Sequence, residues 1–120
     1  MISQNLFAIE KIWTGATSTD WANTGNWSPS GVPKDTDFVK IVNRTNMPVI
    51  LSGTIATCYG MNIEGASTLT INSGGTLTIL PTNATVRNKG ISIFSNGILT
   101  NNGTLNGTTT ANVNLNCIKR

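Results

Sequence analysis

The sequence contains no histidine, and of its 120 residues only 5 are acidic and 8 basic. Without histidine, the Ser–His and Cys–His nucleophile schemes are missing. Two cysteines, Cys58 and Cys117, without a CxxC pair, give too few ligands for zinc. The acids are Glu10, Asp20, Asp35, Asp37 and Glu64, so residues 65–118 contain none, and their only bases are Arg87 and Lys89. Acid–base catalysis along that stretch has almost nothing to work with. The expectation is therefore a protein that is not an enzyme and needs no cofactor.

Other absences narrow the class further. No apolar run approaches the length of a membrane span. The start, Met1–Lys11, has no basic segment, and Ser3, Gln4 and Asn5 interrupt its apolar residues, so a signal peptide is not expected. The net charge is +3 and the bases are scattered, which leaves no phosphate-binding track and argues against nucleic acid. Gly74-Gly75 has no helix behind it and is not a phosphate loop. Aromatic residues are 6% of the chain, so a core must come from Val, Ile and Leu.

What is present is Thr, Asn and Gly. Thr suits strands, while Asn and Gly suit tight turns. Phe38–Val42 reads as a strand, Pro48 marks the start of a second at Val49–Leu51, and Ile55–Met61 is a weaker third. Then S-T-L-T-I-N (67–72) is followed by G-T-L-T-I-L (75–80), with Leu69 and Leu77 eight residues apart. Alternation of Leu and Ile with Thr is the period of a strand with one buried face. Weaker copies follow at 84–88, 90–94, 97–101, 103–107 and 112–116, and Asn96-Gly97, Asn102-Gly103 and Asn106-Gly107 read as turns.

Short, evenly spaced strands predict an all-β fold, either a short β-solenoid of the right-handed β-helix kind or a β-sandwich. In the solenoid, successive coils would stack Leu on Leu. The N-G dipeptides, which are also hairpin signals, keep the sandwich as the alternative.

The part unlike the rest is Trp13–Pro33, which holds Trp13, Trp21, Trp27, Pro29 and Pro33, with one acid, Asp20, and no base. It predicts an N-terminal cap over the first coil of a single β domain, 13–120, with 13–33 the cap and 34–120 the body; residues 1–12 read as an N-terminal arm or a short strand. A solenoid end exposes backbone and apolar side chains, so a cap has a physical task. A few coils bury limited area, which predicts a homo-oligomer, a trimer for preference.

Three binding possibilities follow from residue types. Trp13, Asp20, Trp21, Asn23, Asn26 and Trp27 carry rings and amides suited to a glycan, against which stands inward packing of the rings. Asp35 and Asp37, two apart on an extended segment, would share a side and offer a weak calcium site or a carboxylate pair. Cys58 and Cys117 either form one disulfide or remain buried thiols.

The run W-T-G-A-T-S-T-D-W-A-N-T-G-N-W-S-P-S-G-V-P, followed by T-L-T-I-N-S-G-G-T-L-T-I and N-N-G-T-L, resembles repeat-rich surface proteins of environmental bacteria, of the adhesin or autotransporter-passenger type. The resemblance runs from Trp13 to about Asn106. It implies a β-helix and a structural or attachment role at a cell surface. In so short a chain it also implies reuse as a phage spike or fibre on a virion surface, partnered by other virion or surface proteins or by a surface glycan.

Overall fold

The computed structural model describes residues 9–79, 90–94 and 96–107. The repeats at 84–88 and 112–116, and Cys117, lie outside the described residues. Alternation of apolar and polar residues sets the strands. They are β1 Glu10–Trp13, β2 Trp27–Ser28, β3 Phe38–Ile41, β4 Val49–Ile50, β5 Ile55–Cys58, β6 Gly60–Ile63, β7 Thr68–Ile71, β8 Thr76–Ile79, β9 Gly90–Ile93, β10 Ile98–Asn101 and β11 Thr104–Gly107. The fold is all-β, with one short 3-10 turn at Thr24–Asn26.

The strands form three sheets, ordered β2-β1-β3-β6-β9, β10-β7-β4 and β11-β8-β5. From β3 onward the chain visits the first, second and third sheet in turn and then begins again. Every pairing among these strands is parallel. Among the described residues the only antiparallel ladder is β1 with β2.

One residue in two points inward from each strand. The first sheet stacks Val39, Met61 and Ile91, and beside them Ile41, Ile63 and Ile93. The second stacks Leu69 on Leu99 and Ile50 on Ile71, while the third stacks Ala56, Leu77 and Leu105. Most of these side chains are fully buried. Each buried Leu or Ile contributes about 1.5–3 kcal/mol by leaving water.

This arrangement bears on four expectations. The two T-L-T-I copies, β7 and β8, do not stack on one another; they lie in different sheets of the same pass, and each stacks on a strand of the next pass. Ile55–Met61 is two strands, because the chain turns at Tyr59, whose N–H donates to the Asp37 carbonyl at 2.7 Å. Glu10–Ile12, in the segment read as an arm or a short strand, pair in parallel with β3. Asn106-Gly107 lies inside β11 rather than in a turn.

Nor does Asn96-Gly97 close a hairpin, since it joins strands of two different sheets. Its glycine answers a steric need instead. A Cβ on Gly97 would stand 2.8 Å from the Ile63 carbonyl oxygen and 3.0 Å from that of Phe94. The turn passes so close to the previous pass that only glycine fits.

Candidate functional site: the tryptophan stretch

Residues 13–28 lie at the N-terminal edge of the first two sheets. β1 pairs with β3, and Asp20 bridges to Val49 of β4 in parallel. The bridge is flanked by Trp21 N–H to Val49 O at 3.0 Å and Val49 N–H to Thr19 O at 2.7 Å. The stretch thus continues two sheets before its own strand β2 turns back antiparallel.

All three indoles are buried, with Trp13 and Trp21 at 0% exposure and Trp27 at 3%. Trp27 stands between the other two, edge-on to both, with ring centroids 5.1 Å from Trp13 and 4.8 Å from Trp21. Edge-to-face packing of this kind is favoured by the ring quadrupoles. Trp13 Nε1 donates to Asn46 O at 2.6 Å and Trp27 Nε1 to Trp21 O at 2.8 Å. Trp21 Nε1 has no acceptor among the described residues. The rings belong to the main core cluster and leave no face for a sugar to stack on.

Asn26 organises the loop around them. It is fully buried. Its Oδ1 accepts from Thr17 N–H at 2.8 Å and Ser18 N–H at 2.9 Å. Its Nδ2 donates to Asp20 O at 2.9 Å and Ser18 Oγ at 3.1 Å, and its backbone carbonyl accepts from Thr14 N–H at 2.8 Å. Both ends of the amide are therefore occupied inside the loop. Asn23 caps the 3-10 turn, its Oδ1 accepting from Gly25 N–H at 2.9 Å, and Asp20 Oδ1 accepts from Ala22 N–H at 2.9 Å. The structure brings the six proposed ligand residues together, as the structural members of one loop.

Lys11 is a member that residue types alone did not reveal. It is only 8% exposed, and its Nζ donates to Pro29 O at 2.9 Å and Ser30 O at 3.0 Å. The signal was its parity, since Lys11 is two residues before Trp13 and so shares the inward face of β1. Its ammonium ties the loop after β2, which carries a cis Ser28–Pro29 peptide, back onto the first sheet.

Asp35 and Asp37 do not share one side of an extended segment. Residues 34–37 form a turn, closed by Asp37 N–H to Lys34 O at 2.9 Å, and the Asp37 carboxylate folds back to accept from Lys34 N–H at 2.9 Å. Asp37 is buried and Asp35 exposed. Among the described residues no three His, Cys, Asp or Glu side chains gather.

Cys58 is a buried free cysteine at the inner end of β5. Burial pushes its thiol up; a backbone hydrogen bond at Gly60 pulls it down, and the nearby charge of Asp37 pushes it up again. It behaves as a small core hydrophobe and not as a nucleophile.

An all-β fold of largely parallel sheets, closed at one edge by a buried tryptophan cluster, is the class this chain represents. The chain belongs to the family described as a domain of unknown function, DUF8693, matched over residues 12–119. That range takes in both the tryptophan stretch and the strands after it. No curated protein and no solved structure matches the chain.

Proposed function

We propose that this chain is a non-enzymatic structural and attachment module: a short β-solenoid with a tryptophan cap, built into a surface-exposed homo-oligomer. A virion spike or fibre, or a bacterial surface adhesin, is the setting that suits it, and a trimer the assembly. The observation that carries the reading is the strand order, in which successive strands from β3 onward fall cyclically into three sheets and pair in parallel. Three passes, β3–β5, β6–β8 and β9–β11, then correspond to three coils. Each coil buries its inner face only against its neighbours.

Where the chain puts its polar groups fits the same reading. Asp37, Asn26 and Lys11 are buried and engaged with backbone groups, so they hold loops in place. The outward positions of β7 and β8 are Thr. Such a body offers stiff, regular faces for contact rather than a cleft for chemistry. The tryptophan layer makes the N-terminal end different from the other end, which gives an assembly a defined polarity.

The test is the mass in solution by light scattering behind size exclusion, with circular dichroism on the same sample. A β-rich trimer supports the assembly reading. A folded monomer overturns it and leaves a single binding or spacer unit. Among the described residues no helix is long and apolar enough to cross a membrane.

A further inference from the structure

The outward face of the third sheet is a small, regular lattice without charge. In register across β5, β8 and β11 run two rows, Ile55–Thr76–Thr104 and Thr57–Thr78–Asn106. All six side chains point away from the core and are half-buried or exposed. Four of the six are Thr, and none is charged or aromatic. Neighbours stand about 4.8 Å apart across the strands and about 6.6 Å apart along them. Because the pairing is parallel and without a register break, these repeats hold over the whole face.

We propose that this face binds the surface of ice. Ice is itself a lattice of hydrogen-bonding oxygens that repeats on the same scale of a few ångström. Each Thr offers one hydroxyl to that lattice and one methyl that displaces disordered water. The β-branched side chain is stiff at χ1, so the array is ordered before it binds and loses little freedom on binding. Charged groups would hold water in their own orientation, and the face has none. The composition also argues against other occupants. Sugars are held by stacking on aromatic rings, and protein partners by aromatic and Arg anchors. Neither is present here. A lattice of three strands is small, so ice shaping and slowed recrystallisation are the effects to expect. This activity needs only the face itself and can stand or fall independently of the subunit count.

The experiment is an ice-recrystallisation assay with the full chain, alongside Thr78→Lys at the centre of the face and Thr57→Lys beside it. Asn62→Lys, on the outward face of the first sheet, is the control, and circular dichroism checks the fold of each. Wild type and Asn62→Lys should slow recrystallisation, and both Thr variants should lose the effect while folded. The proposal is overturned if wild type leaves ice growth unchanged, or if Asn62→Lys loses the effect equally. It is also overturned if Thr78→Lys instead changes the mass in light scattering, making the face a subunit contact. Wild type sedimenting with insoluble cellulose or chitin while leaving ice unaffected would overturn it in favour of a polysaccharide.

Discussion

Leu69 lies directly beside Leu99, one pass further along the chain, and not beside Leu77, its counterpart in the neighbouring copy of the same motif. Leu69 is fully buried, while Thr70 next to it faces outward. Leu69→Ala should therefore cost about 2–5 kcal/mol, as other large-to-small core substitutions do. Thr70→Ala should cost under about 1 kcal/mol, the loss of strand propensity alone. Urea unfolding of the two variants checks the contrast; equal losses would mean that the inward and outward faces are assigned wrongly.

Asn26 and Asn23 sit three residues apart in one loop but carry different loads. Asn26→Ala leaves the Thr17 and Ser18 N–H groups without their shared acceptor, while the Asp20 carbonyl keeps the Asn23 N–H. Its expected cost is about 2 kcal/mol or more, since each unpaired group costs about 1–3 kcal/mol when water is kept from it. Asn23→Ala removes one exposed cap and should cost about 0.5–1 kcal/mol. Thermal unfolding separates them. The shift should come with a red-shifted tryptophan emission only in Asn26→Ala, because that loop encloses the indoles.

Two glycines give a paired test of steric need. A Cβ at Gly75 would meet the Ile50 carbonyl oxygen at 2.7 Å and that of Leu51 at 3.0 Å, whereas Gly53, at φ +87°, has open space around it. Gly75→Ala forces two passes apart and should cost more than about 2 kcal/mol, in the range of overpacked cores. Gly53→Ala meets only the left-handed backbone penalty, about 1–2 kcal/mol. Denaturant midpoints of the two variants decide the order.

The buried thiol of Cys58 predicts a pH dependence. Unfolded, it loses its proton around its ordinary value of 9.0; folded, it keeps the proton to higher pH. Above that value the unfolded chain binds fewer protons than the folded one, so stability falls as pH rises. The slope from this group is at most about 1.4 kcal/mol per pH unit. It begins around the unfolded value and ends at the raised folded value. Urea midpoints from pH 8 to pH 11 should drop in wild type and drop less steeply in Cys58→Ala. In a Cys117→Ser background, Cys58 should also resist thiol reagents until the protein unfolds.

Much of the fold was legible in the strand periodicity. Thr-Leu-Thr-Ile alternation marked β7 and β8 because only the side-chain period matters there. The partner of each strand was not legible. A repeat of eight residues suggests stacking of neighbours, but the chain bends between Ile71 and Thr76 and carries the second copy into another sheet. Only distant pairings such as Leu69 with Leu99 define the sheets, and these leave no local signal. The tryptophan stretch was recognisable as special by composition. Its rings read first as an inner cap layer and second as a sugar platform, because residue type does not reveal which way a loop side chain points. Lys11 was hidden by its charge, although its parity with Trp13 placed it inward.

The most direct test of the sheet pairing is a disulfide across the ladder of outward residues. In a background of Cys58→Ala and Cys117→Ser, cysteine is placed at Thr70 and Thr100, which lie side by side on β7 and β10. A second protein carries cysteines at Thr70 and Thr78, the matching positions of the two motif copies, in different sheets. Mild oxidation of the folded proteins should join the first pair, since adjacent in-register strands bring the Cα atoms within disulfide range. The second pair should remain reduced. If Thr70→Cys joins Thr78→Cys and not Thr100→Cys, the motif copies stack on each other and the three-sheet order is wrong.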